Sequence, residues 1–380
     1  MIWLNYCSRK SRKLFIFPIV SIIISLLVWT FAPIDLFPSS FDSLLIAPVN
    51  SYDYLNRTQD WMFGEFVIKN EDHCSGKRST SIVLLVHSDP GNGKNRNLLR
   101  QFTPLDYCLT FLLGSRDGGT NSEIEKESKQ FGDIVQGTFH DSYRNLTRKH
   151  IMGLTWAALY CPFASFVFKV DDDIFLNYTF ISDYLDSQFP PSQSDPFLVR
   201  SPIKMIIGYV MPQSPVIRDL TSKWFVHQSD YPNDYYPTFV SGWGYITTID
   251  VVNQLLNQIP STPMFWIDDI YVTGMLRSKI SDIFFYSINK FFNININLLK
   301  NWTQLTYDHV WPYMVSVTSR DLLDRSLQRY QFCRNHKDHC YCCLPWLDLF
   351  NSKSSNSSIQ QFVPLKSQGK ISEIHMIIKS

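Results

Sequence analysis

Three short apolar runs alternate with stretches of helical spacing, and that alternation limits the chain to few folds. SIVLLVHS (81–88), CLTFLLGS (108–115) and SFVFKV (165–170) are rich in β-branched, leucine and aromatic residues and read as buried strands. The first runs into the turn cluster DPGNG and the second closes on a glycine. Between them RNLLRQF (96–102) suits a helix. NSEIEKESKQFGDIV (121–135) opens with a capping pattern, Ser122 then Glu125. SYRNLTRKHIMGLTWAALY (142–160) predicts a longer helix, with apolar residues at Leu146, Ile151, Leu154, Ala158 and Leu159. Strand and helix in alternation predict an α/β fold with a central, mostly parallel sheet covered by helices. In such sheets ligands sit beyond the carboxyl ends of the strands.

The third run ends on three consecutive carboxylates, Asp171, Asp172 and Asp173. Like charges side by side are costly unless a cation or water compensates. In a strand-exit loop the first and third can aim at one centre, and hard oxygen ligands suit Mg²⁺ or Mn²⁺, with diphosphate oxygens and water completing the shell. Alone, the triplet favours a solvated acidic turn; its place after a buried strand shifts the reading towards the metal.

Further blocks follow in order: EKESKQFGDIVQGTFHDSYRNLTRKH (125–150), FVFKVDDDIFLN (166–177), YYPTFVSGWGYITT (235–248) and WIDDIYVTGML (266–276), with FLLGS (111–115) ahead of them. Together they resemble the signature blocks of the β-1,3-galactosyltransferase-like enzymes, the inverting family that includes β-1,3-N-acetylglucosaminyltransferases and fringe-type transferases. The likeness runs over residues 80 to 320. It implies a nucleotide-sugar-binding, Rossmann-like single catalytic domain of the GT-A type. It also implies a single inverting displacement with UDP as leaving group, and Mn²⁺ offsetting the diphosphate charge. Some positions depart from the pattern. RNLLRQFT keeps Arg96 and Arg100 of the first-helix motif without its Trp, the Glu-Asp pair is Asp268-Asp269, and Phe239 and Val240 stand where the family has Tyr and Cys.

Carried over by position, Asp171 and Asp173 are the outer members of the family's acidic motif. Asp173 is assigned to direct metal ligation, and Asp171 and Asp172 to the metal's water shell, the ribose or the sugar. YDHVWPYM (307–314) resembles a late segment with a metal-ligating His, which makes His309 the candidate; a lone His is otherwise an ordinary surface or core residue. Inversion needs a base on the face opposite the leaving group to take the acceptor hydroxyl's proton. The alignment assigns that base to Asp269, with Asp268 orienting the acceptor or supporting the loop; the bland alternative is that both cap the helix that follows. Gly242 and Gly244 suggest backbone that passes close to the donor or takes a positive dihedral, or simply a turn, and Trp243 stacks on a sugar or fills the core. Arg96 and Arg100 are expected on the diphosphate or uracil side, or as exposed helix charges. Lys169, inside an apolar strand, calls for a carboxylate partner and reads as a structural ion pair.

LFIFPIVSIIISLLVWTFA (14–32) carries no charge and has the length of about 20 residues that a spanning helix needs. Arg9, Lys10, Arg12 and Lys13 precede it and no comparable cluster follows, so the positive-inside rule places the remainder in a lumen. The expected order is a cytosolic tail (1–13), a transmembrane signal anchor (14–32), a stem rich in Pro, Ser, Asn and Asp (33–78), a catalytic domain (79–350) and a Ser/Asn-rich tail (351–380). A cleaved signal peptide is the rival, but no A-x-A site follows the apolar run; a buried soluble helix is the third reading. Five sequons, at Asn56, Asn145, Asn177, Asn301 and Asn356, and seven of the eight cysteines lie downstream, as suits an oxidising compartment. Cys108 and Cys161 each precede a strand and pair if those strands are neighbours. The cluster CRNHKDHCYCC (333–343) reads as disulfides ahead of a zinc site. A net charge of +1 gives no field for nucleic acid.

The expectation is a Golgi type II membrane β-1,3-glycosyltransferase. It would move a hexose or N-acetylhexosamine, galactose foremost, from a UDP-sugar to a hydroxyl of a glycan acceptor on glycoprotein or glycolipid. A catalytically inactive, membrane-tethered sugar-binding protein of the same fold is the alternative, and the presence of Asp171, Asp173 and Asp269 speaks against it. A two-metal phosphoryl-transfer enzyme would call for acidic clusters beyond Asp268-Asp269.

Overall fold

The structure, a computed structural model, describes residues 62–74, 82–189, 204–289, 292–293, 300, 303, 314–316 and 320–335. The chain divides into residues 1–51 and 52–380, and all described residues lie in the second unit. The expected anchor, the C-terminal tail, most of the Cys/His cluster and His309 fall outside the described residues. Among the described residues no helix is long and apolar enough to cross a membrane.

The strands are β1 (Phe66–Ile68), β2 (Ile82–His87), β3 (Tyr107–Ser115), β4 (Ile134–His140), β5 (Phe166–Asp171), β6 (Ile174–Leu176), β7 (Met205–Met211), β8 (Phe239–Thr248), β9 (Phe284–Ser287), β10 (Phe292–Asn293) and β11 (Met314–Ser316). Eight of them make one sheet, in the order β1-β4-β3-β2-β5-β8-β7-β9. Neighbours β4, β3, β2 and β5 are parallel, as are β7 and β9. β8 runs antiparallel to both β5 and β7, and β1 antiparallel to β4. The sheet is therefore mixed, with a parallel centre and two reversed strands. β6, β10 and β11 form a small second sheet.

All six residues of β2 are buried, because helices cover both faces. One face sends Val83, Leu85, Val167 and Tyr245 into a core shared with α3 (Leu146–Tyr160), α5 (Ile249–Leu256) and a π-helical segment, Ile270–Leu276. The other sends Leu84, Val86, Phe168 and Ile246 toward α1 (Gly93–Phe102), α2 (Gly118–Phe131), α4 (Tyr178–Gln188) and α6 (Arg320–Asn335). The period-2 alternation of a strand divides its side chains between the two cores.

Three expectations need correction. α2 begins earlier than the Ser122 capping pattern predicted: Asp117 caps it, accepting from the Thr120 amide, and Ser122 Oγ instead donates to the Gly118 carbonyl. The helix stops at Gly132, whose φ of 68° is the left-handed conformation that glycine tolerates, so Ile134 and Val135 belong to β4. Part of the segment read as stem is in the fold: β1 pairs with β4, Met62 and Phe63 are buried, and Cys74 is disulfide-bonded to Cys108. Cys161 is a free buried thiol rather than the partner of Cys108: its sulfur lies within 4.8 Å of those of Cys74 and Cys108, but Cys74 takes the bond to Cys108.

Candidate active site

The three aspartates at the end of β5 point in different directions. Asp171 is the cross-strand partner of His87, and its Oδ1 accepts from Lys169 Nζ at 2.7 Å. Asp172 is buried and turns back to the β2–α1 loop, where its Oδ2 accepts from Ser88 Oγ at 2.6 Å and Asn92 Nδ2 at 3.1 Å. Asp173 is exposed and accepts no side-chain hydrogen bond from another described residue. Desolvation, then the charges of Asp171 and Asp172, push its carboxyl up to about 7. Hard carboxylate oxygens of this kind suit a divalent cation, and among the described residues no third protein ligand converges with those of Asp171 and Asp173.

Lys169 joins this end of β5 to a second acidic pair. Its ammonium is 2 % exposed and bonds Asp171 at 2.7 Å and the Gly242 carbonyl at 2.6 Å, with Asp268 Oδ2 at 3.8 Å. The buried lysine thus has the carboxylate partner its position calls for. Gly242 lies on β8 beside β5, and its N–H donates to Asp269 Oδ2 at 2.9 Å. The Ile270 amide donates to Asp269 Oδ1 at 2.8 Å. Asp269 therefore does cap the π-helical segment, yet a carboxylate offers about four lone-pair sites and two remain. The side chain is half-buried, so those sites are within reach of a ligand.

The two members of the pair are driven apart. Burial alone would raise the Asp268 carboxyl, but Lys169 and a hydrogen bond from His150 overcome it and bring it down to about 2. Asp269 is raised to about 7 by burial and by the negative charge of Asp268. One carboxylate is held ionised and the other is poised near neutrality, the separation by which a site assigns acid and base roles.

Sequence reasoning missed the polar groups beneath this site. His150 Nδ1 lies 2.9 Å from Asp268 Oδ2 and its Nε2 2.7 Å from the Tyr245 hydroxyl. Lys149 bonds the Ser88 carbonyl at 2.7 Å and pairs with Asp141 at 2.8 Å. His87 is buried with neither ring nitrogen hydrogen-bonded, and burial, then Lys169, His150 and Lys149, hold it well below the usual histidine range. No sequence signal announced them: that Thr147, Lys149 and His150 are buried shows only once α3 is packed, and charged groups so placed need a partner. On the outer side, Tyr143 packs near Trp266 at 6.1 Å, and the Arg144 guanidinium lies 3.7 Å over the Trp266 ring. Asp268, Asp269 and Asp171 all help raise the Tyr143 hydroxyl, after burial, to about 12.

Arg96 is neither an exposed helix charge nor left with a spare N–H group. It is 1 % exposed, and its five N–H groups are spent on Glu127, Ser88 Oγ and the Asp89 and Pro90 carbonyls. Arg100 is held by Asp133, Glu127 and Asn97 and lies over Phe131. The reading as exposed helix charges is corrected: with Glu127 on α2 and Asp133 just beyond its end, the two guanidiniums are tied into the packing of α1 against α2. Neither Gly242 nor Gly244 has a positive φ; among the described glycines only Gly64 and Gly132 do. A Cβ on Gly242 would meet Asp269 Oδ2 at 3.3 Å, so the close approach there is to the carboxylate. Gly244 is buried opposite Val170. Trp243 is half-buried against Tyr209 and Phe292.

A mixed α/β sheet carries an acidic triplet at a strand end, joined by one lysine to a second acidic pair. Comparison with known proteins identifies the family. The galactosyltransferase family model matches residues 96–283. The chain is 36% identical over 208 residues to beta-1,3-galactosyltransferase 5 of Pan paniscus, covering 53% of this chain and 65% of that protein. It is 31% identical over 246 residues to beta-1,3-galactosyltransferase 1 of Mus musculus, covering 63% and 69%. The match thus spans about two thirds of the length of these relatives. A solved glycosyltransferase involved in the glycosylation of the major capsid of PBCV-1 gives a TM-score of 0.33 at 11% identity over 65% of this chain and 98% of that one, a likeness too low to carry an argument. The chain belongs to the β-1,3-galactosyltransferase-like family.

Proposed function

We propose that this protein is an inverting β-1,3-galactosyltransferase that moves galactose from UDP-galactose to a hydroxyl of a glycan acceptor. The observation that carries the reading is the Lys169 bridge, which sets the half-buried Asp269 beside the end of β5 where Asp171 and Asp173 lie. Asp171 and Asp173 would hold a divalent cation, with Mn²⁺ the expected ion; when bound it supplies positive charge to the leaving diphosphate. Asp269 uses its free lone pairs to accept the proton of the acceptor hydroxyl as the new bond forms at the anomeric carbon. Gly242 N–H and Ile270 N–H fix the carboxylate's direction. Lys169 and Asp268 stay ionised and set the field around it. Tyr143, whose hydroxyl feels the charges of Asp268, Asp269 and Asp171, and Trp266 beside it supply aromatic surface near the pair, as suits a sugar acceptor. Residues 14–32 would anchor the chain as a type II protein of the Golgi membrane, the catalytic part in the lumen.

The test is transfer from a panel of UDP-hexoses to para-nitrophenyl glycosides by the full-length chain in detergent, with Mn²⁺ and with chelator. Metal-dependent transfer from UDP-galactose, giving a β-1,3 product by NMR, is the expected result. Binding of UDP-galactose with no transfer to any acceptor would favour a sugar-binding protein, and turnover of phosphate esters instead would favour phosphoryl transfer.

A further inference from the structure

We propose that His150, backed by Tyr245, is a positioning residue for the transfer step, fixing Asp268 so that its charge bears on the base. The proposal rests on the reading of Asp269 as that base. The geometry is a chain of two hydrogen bonds, Asp268 Oδ2 to His150 Nδ1 at 2.9 Å and His150 Nε2 to the Tyr245 hydroxyl at 2.7 Å. His150 and Tyr245 are fully buried and Asp268 is 8 % exposed.

Each proton of this relay has one place. The Lys169 ammonium lies 3.8 Å from the same Asp268 oxygen and helps keep that carboxylate ionised, so Asp268 can only accept and His150 Nδ1 must donate. Burial keeps the imidazole neutral, so Nε2 carries no proton and accepts from the Tyr245 hydroxyl. Tyr245, buried beyond its ordinary range of ionisation, keeps its proton. His87 meets the His150 ring edge-on at 5.2 Å and is itself held neutral. Toward the acidic pair, β5 contributes Lys169 and Asp171, the turn before α3 contributes Tyr143, and Tyr236 lies near Asp269. Lys169 and His150 are therefore what holds the charge on Asp268. Remove the imidazole and Asp268 loses its neutral donor, so the one proton of the pair can be shared between both carboxylates instead of residing on Asp269.

The experiment compares wild type, His150→Phe, His150→Asn, Tyr245→Phe and Asp269→Asn as full-length chains, with UDP-galactose as donor and the para-nitrophenyl glycoside that supports transfer. His150→Phe should lower kcat by about 10- to 100-fold, the scale typical of groups that orient a reacting side chain, leave the KM for UDP-galactose unchanged, and move the acid-side midpoint of the pH profile downward. His150→Asn places an amide N–H where Nδ1 stood and should recover most of the rate and the midpoint. Tyr245→Phe should shift both in the same direction by less, and decides the matter if His150→Phe does not fold. Equal losses in the Phe and Asn variants that track their melting temperatures, with the pH midpoint fixed, would reduce His150 to a packing residue. Asp269→Asn at wild-type rate removes the base and this proposal with it. An inactive Asp269→Asn beside His150 variants of wild-type profile removes this proposal alone.

Discussion

Asp171, Asp172 and Asp173 are consecutive, yet one faces Lys169, one the β2–α1 loop and one solvent. The divergence gives Asp171 and Asp172 separate partners, while their charges still raise the Asp173 carboxyl. The sequence singles out these residues and Asp269, because side-by-side carboxylates after a buried strand need a reason, and the structure places both acidic groups around Lys169. His150 was not legible: its partner Asp268 is 118 residues away, and a single histidine in a helix has no spacing that announces it. The pair Asp268 and Asp269 gives a pH prediction. The base must be ionised, and burial and Asp268 raise it to about 7, so kcat/KM should climb as pH rises through that value and level off above it. A rate already at its plateau at pH 5 would mean that the titrating base is another group.

At the scale of elements, α1 and α2 are held together through Arg96, Arg100, Glu127 and Asp133. The sequence showed the arginines on a helix but not their partners, because an ion pair 31 residues apart leaves no periodic trace. Arg96→Met should destabilise the fold by about 3 kcal/mol, the scale of a broken buried pair, with little change in the KM for UDP-galactose; thermal unfolding beside donor kinetics checks it. A raised KM with unchanged stability would return Arg96 to the donor. β1 was missed because a three-residue strand carries too little alternation to be read. It is tied near β3 by the Cys74–Cys108 disulfide, whose separation of 34 residues corresponds to about 3 to 4 kcal/mol in the chain-entropy account. Cys74→Ser should lower stability by that amount in denaturant titration and expose the β1 amides to hydrogen exchange.

For the whole molecule, alternating strands and helices predicted the parallel centre of the sheet, because β2, β3 and β5 are buried on both faces and each reads as an apolar run closed by turn or polar residues. The reversal of β8 was not predicted. Inserting it antiparallel between β5 and β7 is a long-range choice, and it is this choice that brings Gly242, and through it Asp269, to Lys169. The proposed anchor also belongs to this scale: deletion of residues 14–32 should move the protein from the membrane fraction to the soluble one after alkaline extraction, whereas unchanged fractionation would leave no role for an anchor there.

The central claim is that Asp269 takes the acceptor's proton at a site organised by Lys169. It is tested most directly by single-turnover transfer from UDP-galactose in wild type and Asp269→Asn, with donor binding measured on the same samples. The account predicts donor affinity unchanged and transfer slower by about 10²- to 10⁴-fold, the scale of a lost general base. Transfer at the wild-type rate in Asp269→Asn, with donor still bound, would contradict it.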